Sequence, residues 1–212
     1  MKFKIYIYLF TIFFIYSCGE KFDEIKQTAE NIQNLSQNAD KINESINRSE
    51  ERLKQRIAKG DTLPLHFNDL AKFLPETINE YKGSEIEGNT TNALGFSISQ
   101  VSRTYSSNSN TNIYIKVSLI DYNASYQYLS GLAYWTNLNL TSENNDGYEK
   151  TIKTDIEDVF AYEKFSKSGK YANIFYVIGY RFYLTIEANN IDNPDILKTI
   201  SSKIDLQNLA KL

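Results

Sequence analysis

The sequence predicts an α+β fold: an antiparallel sheet of about six strands with packed helices, preceded by a long N-terminal amphipathic helix. Three observations lead there. Residues 22–58 contain no Gly or Pro and repeat apolar side chains every three or four positions, the period of one helix face. Later segments, most clearly 112–121, alternate apolar and polar residues as half-buried strands do. Short polar turns separate these segments, so consecutive strands pair antiparallel and the helices pack on the resulting sheet.

The chain begins with the short positive stretch Met1-Lys2-Phe3-Lys4, followed by an uncharged run from Ile5 to Ser17. That run is shorter than the ~20 apolar residues a membrane-crossing helix needs. It has the charge layout of a secretory signal. It closes on Ile15-Tyr16-Ser17-Cys18-Gly19. These residues resemble the lipobox of bacterial lipoproteins, with Tyr16 bulkier than is usual at its position. Cys18 is the only cysteine in the chain, so no intrachain disulfide can form. The resemblance implies that residues 1–17 are removed as a signal peptide and that Cys18 carries a diacylglycerol thioether and an N-acyl chain such as palmitate. Each buried CH₂ contributes about 0.8 kcal/mol, so two or three acyl chains hold a water-soluble body to a membrane. The charged stretch after Gly19 looks like the export signals of Bacteroidota lipoproteins. The expected location is therefore the cell envelope, on the outer membrane, facing the periplasm or the surface.

Removing the leader takes away Lys2 and Lys4, leaving 21 of the 23 basic residues against 26 acidic ones, a formal charge of −5. An acidic chain without a basic stripe is a poor nucleic-acid binder. Its membrane contact is expected through the lipid and not through charge.

Residues 18–58 read as the lipidated cysteine and a helical stalk. Apolar residues recur at Phe22, Ile25, Ala29, Ile32, Leu35, Ala39, Ile42, Ile46, Leu53 and Ile57, with Ser49 polar in one slot. At 1.5 Å per residue such a helix reaches roughly 50–55 Å. The narrow stripe is similar to a coiled-coil seam, so the stalk either self-associates into a homo-oligomer or stands as a solvated spacer. Gly60 suits the left-handed position past a helix end. Residues 59–66 are the expected linker and 67–212 the globular domain.

Within that domain, Phe67 to Phe73 reads as a short helix closed by Pro75. Leu94 to Tyr105 and Asn112 to Asp121 read as adjacent strands joined by the polar turn 106–110. Asn123 suits the cap of a helix from Ala124 to Leu138 that buries Tyr126, Leu129, Leu132 and Ala133. Tyr148 to Thr154 and Val159 to Phe165 read as strands around an acidic connection. Tyr171 to Ile178 and Arg181 to Ala188 form the clearest hairpin, with Gly179 supplying the positive φ of a type II′ turn. Asn193-Pro194-Asp195 opens a final helix that buries Leu197, Ile200 and Ile204, and a last turn starts at Asp205. This order, with Leu74-Pro75 before the sheet and Ile204-Asp205-Leu206 near the end, resembles the PsbP-like domains of bacterial envelope lipoproteins. The resemblance implies binding or assembly rather than catalysis and carries no functional residue across.

Catalytic chemistry finds little support. His66 is the only histidine, so neither a two-His nor a thiolate metal site can form, and no metal or other cofactor is expected. No nucleophile elbow, dinucleotide fingerprint or phosphate loop is present. Asp155, Glu157 and Asp158 cluster in one connection, and Asp121 ends a strand. Paired acids can do glycosidic acid–base work or hold Ca²⁺. This spacing lacks the Gly and regular oxygen ligands of a calcium loop, and turn or capping roles fit these acids better. The aromatic residues are more informative. Tyr122, Tyr126, Tyr128, Tyr134 and Trp135 crowd one segment, and Tyr176, Tyr180 and Tyr183 crowd the hairpin, more rings than one inward face can take. Partly exposed Tyr and Trp suit protein interfaces and sugar stacking. Trp135, Tyr134, Tyr180 and Tyr183 are therefore the candidate partner-binding residues. The expected function is a lipid-anchored, non-enzymatic binding or assembly module for an envelope protein or polymer. The alternatives are a structural lipoprotein that oligomerises through residues 22–58 and, more distantly, a carboxylate-based hydrolase.

Overall fold

A computed structural model describes residues 39–93, 96–107, 112–123, 129 and 140–212, all of them in the unit Asn38–Leu212. The leader, Cys18, the first part of the stalk, Tyr134, Trp135 and all of the expected 124–138 helix except Leu129 lie outside the described residues.

The helices and strands follow in the order α1 (Ala39–Ala58), α2 (Phe67–Leu70) with a 3-10 turn (Ala71–Phe73), β1 (Thr77–Ile78), β2 (Tyr81–Gly83), β3 (Glu87–Ala93), β4 (Phe96–Ser107) and β5 (Tyr114–Asp121). Then come β6 (Thr141–Glu143), β7 (Gly147–Ile152), β8 (Val159–Ser166), β9 (Tyr171–Ile178), β10 (Phe182–Asn189), α3 (Asp195–Ser201) and α4 (Leu206–Lys211). All the strands join one antiparallel sheet in the order β1-β2-β4-β5-β10-β9-β8-β7-β6, with β3 on the same edge of β4 as β2. The α+β class holds, but among the described residues the sheet has ten strands rather than about six. The unexpected ones carry no periodic apolar signal. β3 is Glu-Gly-Asn-Thr-Thr-Asn-Ala and is exposed along nearly its whole length; it exists because its backbone pairs with β4 from Phe96 to Ser102. β1, β2 and β6 are two or three residues long.

One face of the sheet is the core. Ile115, Val117 and Leu119 of β5, Ile174 and Ile178 of β9, and Leu184 and Ile186 of β10 alternate onto it. Leu197 and Ile200 of α3, Leu209 of α4 and Leu70 of α2 cover them. Each such side chain contributes about 1.5–3 kcal/mol on burial. Two core phenols find partners: the Tyr105 hydroxyl donates to the Pro75 carbonyl at 2.8 Å, and the Tyr176 hydroxyl to Ser201 Oγ at 2.8 Å.

Burial also sets an alkaline limit. It pushes the phenols of Tyr105 and Tyr183 up to about 12, whereas the unfolded chain loses such protons near pH 10. The stability they contribute is full below that pH and is lost as pH rises through the folded values. Arg56 works in the opposite sense, because burial and the nearby Arg181 lower it to about 10. The buried tyrosines, with Tyr148 and Tyr162 also raised, outnumber it. Tyrosinate absorbance and circular dichroism are expected to change together between about pH 10 and 12. Complete tyrosine ionisation near pH 10 with the fold intact would contradict this burial.

The β9–β10 loop departs from the type II′ expectation. Gly179 and Tyr180 both have positive φ, 60° and 54°, the pattern of a type I′ turn. Pairing resumes at Ile178 with Phe182, which leaves Arg181 as an extra residue, so β10 begins one position later than the alternation suggests. An extra residue in a hairpin re-aims its side chain, and Arg181 turns inward.

Local capping differs at Asn123. Its φ is 26°, and its amide donates to Asp61 Oδ1 at 3.1 Å and to the Leu63 carbonyl. That side chain ties down the 61–63 segment, and its Oδ1 accepts no bond among the described residues. The N-cap of α3 is Pro194 rather than Asn193, and Asn193 Oδ1 stands one residue earlier, accepting from the Asp195 N–H at 3.1 Å. His66 sits exposed at the start of α2, its Nδ1 accepting from the Asn68 N–H at 3.3 Å.

Candidate functional site

Two regions gather polar and aromatic groups. The first is the hairpin end of the sheet, organised by Arg181. Its guanidinium donates to both carboxylate oxygens of Asp121, at 2.9 and 2.8 Å, to Asp61 at 2.7 Å and to the Leu212 carbonyl at 3.1 Å. Arg181 is 2% exposed and Asp121 fully buried. Asp121 also accepts the N–H groups of Leu65 and Asn123 at 2.8 and 2.9 Å. Every oxygen lone pair used here serves packing of the chain on itself, so this buried pair is structural.

The acidic connection before β8 has a similar fate. Asp158 adopts a left-handed backbone, φ 57°, and its carboxylate receives Arg48 and Arg52 of α1, the latter at 2.9 Å. Glu157 also pairs with Arg48. Asp155 is exposed. Arg52 reaches on to the Ala210 carbonyl at 3.0 Å, and Tyr180 OH lies 3.2 Å from Ser45 Oγ. Of the carboxylates singled out in the sequence, Glu157 and Asp158 are thus anchors for α1. Tyr180, a candidate partner residue, is 2% exposed and packs inside the chain.

The second region is the sheet face opposite the core. Strand alternation and register place Gln100, Ile120, Tyr183, Val177 and Phe160 in one row across β4, β5, β10, β9 and β8. The next row is Ser102, Ser118, Thr185, Phe175 and Tyr162. Tyr162 and Phe175 stack with centroids 5.4 Å apart, and Phe175 meets Tyr183 at 5.6 Å. Buried Leu129 packs with Val177 and Tyr180 at one end of the first row, against Tyr122, Phe160 and Tyr183. Leu129 is the described member of the expected 124–138 helix, buried as its position in that pattern requires.

Beside the rings lies a groove of about 390 Å³ lined by Glu87, Asn89, Gln100, Ser102, Lys116 and Ser118 among others. Its amides already bond each other, Gln100 Nε2 to Asn89 Oδ1 at 2.8 Å. Charges near the rings are largely balanced: Lys164 pairs with Glu149 at 2.6 Å, and Lys116 stands opposite Glu187 in the register. The Tyr162 hydroxyl donates to Glu149 at 2.7 Å.

Of the four candidate partner residues, only Tyr183 is placed on this face; Tyr180 is inside, and Tyr134 and Trp135 lie outside the described residues. Phe175, Tyr162 and Phe160 were not singled out, yet the period-two pattern of 159–165 and 171–178 already puts them opposite Ala161 and Ile174.

Among the described residues no group of His, Cys, Asp and Glu is arranged to hold a metal ion, and no helix is long and apolar enough to cross a membrane. No family model, no curated protein and no solved structure matches the chain.

Proposed function

We propose that this chain is a lipid-anchored, non-enzymatic binding module of the cell envelope, a sheet whose outer face receives the ligand.

 The single observation that carries this reading is the run of ring contacts Tyr162–Phe175–Tyr183 across two neighbouring rows, half-buried on the sheet face opposite α2, α3 and α4 and bordered by the amide- and hydroxyl-lined groove. Rings supply apolar area with little side-chain entropy to lose. The neighbouring Ser102, Ser118 and Thr185 hydroxyls and the Gln100 and Asn89 amides offer both donors and acceptors. Lys164 is neutralised by Glu149 and Lys116 has Glu187 opposite it in the register, so no single-sign patch forms; the face favours an uncharged, hydroxyl-rich chain, and an envelope polysaccharide has that chemistry. The lipobox-like residues around Cys18 support tethering at the membrane where such a polymer is found.

The test is calorimetric titration of the full chain with neutral oligosaccharides built from glucose, mannose or N-acetylglucosamine. Saturable binding is expected, weakened about tenfold or more by Phe175→Ala, which corresponds to about 1.4 kcal/mol. In cells producing the chain, Cys18→Ala is expected to abolish its incorporation of labelled palmitate. If no oligosaccharide binds, or if Phe175→Ala binds as well as wild type, the outer-face reading fails.

A further inference from the structure

An amphipathic helix ordinarily turns its apolar side to its own domain, and α1 does the reverse. Its buried positions are Ser45, Ser49 and Arg56, and Arg48 and Arg52 reach Asp158 from the same side. At 3.6 residues per turn these five occupy an arc of about 100°. Ile46, Leu53 and Ile57 fall roughly a quarter turn away from its centre. Ile46 is 42% exposed and Ile57 53% exposed.

We propose that this stripe packs against the same stripe of a second copy, the two α1 helices running parallel about a two-fold axis. Spacing is the first support. Ala39, Ile46 and Leu53 stand seven residues apart, with Leu35 and Ile42 continuing the pattern in the sequence, and a seven-residue repeat keeps side chains on the shared side of two wound helices. Geometry is the second. Because the stripe lies a quarter turn from the docked side, a two-fold axis parallel to the helices sends the two sheets to opposite flanks. Charge is the third, and it argues against a lipid surface as the occupant. Helices that lie on anionic bilayers carry Lys and Arg on their exposed side. Here Arg48, Arg52 and Arg56 face the chain's own domain, and the exposed Glu44, Glu50 and Glu51 outnumber Lys54.

The seam is narrow, since its alternate slots Ser49 and Arg56 are occupied by the sheet. Association is therefore weak in dilute solution and is strengthened where chains share a membrane, which raises their effective concentration. This pairing is independent of what the outer sheet face binds; only the parallel orientation draws on N-terminal anchoring.

Cysteine cross-linking tests it. The full chain carrying Leu53→Cys, or separately Ile57→Cys, is oxidised with copper phenanthroline in its native membrane, beside the unsubstituted chain as control. Either substitution is expected to give about tenfold more disulfide-linked dimer than Glu51→Cys, which lies on the far side of the helix. Adding Ile46→Glu to Leu53→Cys is expected to cut that yield about tenfold while α1 keeps its protection from trypsin. Equal yields from Leu53→Cys and Glu51→Cys, indifference to Ile46→Glu, or cross-links only to other proteins would overturn the pairing. The same oxidation of concentrated chain in solution keeps the test decisive should the chain prove not to be anchored.

Discussion

Asp121→Ala is expected to destabilise the fold by about 3–5 kcal/mol, the range found when one partner of a buried ion pair is removed. Asp121 accepts two N–H groups from Arg181 and one each from Leu65 and Asn123, so its loss strands several donors at once. Arg181 keeps Asp61 and the Leu212 carbonyl but remains inside the protein as an under-compensated cation. For a domain of this size, 1 kcal/mol shifts the melting temperature by roughly 2–4 °C, so a fall of about 10–15 °C is expected. Urea unfolding of wild type and variant measures it. The double change Asp121→Leu with Arg181→Met is expected to recover much of the loss, since apolar replacement of a whole buried pair is often neutral or better. A loss below about 1 kcal/mol for Asp121→Ala would show that water reaches this cluster.

Asp158→Asn is expected to release α1 while leaving the sheet folded. Asn tolerates the left-handed backbone of this position, so the change isolates the charge. Arg52 loses its carboxylate acceptor, and Arg48 keeps only the exposed Glu157. Charge-assisted hydrogen bonds contribute about 1.5–3 kcal/mol each, but Arg48 is 40% exposed at its side chain and its share is cut by solvent screening. A combined loss of about 2–3 kcal/mol is therefore expected. That matters because the stability of a helix such as this 20-residue one comes mostly from its tertiary contacts and not from propensity. Amide exchange across residues 43–58 should accelerate strongly, and trypsin should cut after Arg48, Arg52 and Arg56, with the β9–β10 amides unaffected. Unchanged protection of α1 would mean that Ser45, Ser49 and Arg56 suffice to hold it.

The sheet was legible wherever one side of a strand is buried. β9 spans the same residues the alternation marks, and β5, β8 and β10 differ by only one or two, because inward Ile, Val and Leu repeat at every second position. β3 escaped because a strand with neither side buried needs only a neighbour's backbone and leaves no trace in side-chain pattern. The seating of α1 escaped for another reason. Its apolar stripe is local information, whereas the docked side is chosen by Glu157 and Asp158, more than a hundred positions further along the chain. The candidate site was half readable. Tyr183 stood out among the tyrosines and lies on the outer face; Tyr180, its near neighbour, was drawn inside by a turn whose extra residue no composition rule announces.

That extra residue also decides how tension would travel through the molecule. A pull on the residues preceding α1 meets the Arg48 and Arg52 bonds to Asp158 first, and what passes on along the helix reaches Asp61 and, through Arg181, β10 and β5, strands in the middle of the sheet. Load entering at the middle must shear whole ladders of backbone bonds, whereas load entering at an outer strand such as β6 could open them one by one. Under the anchoring proposed above, a domain wired in this way would bear a tug from its N-terminal side without unzipping from its weakest border.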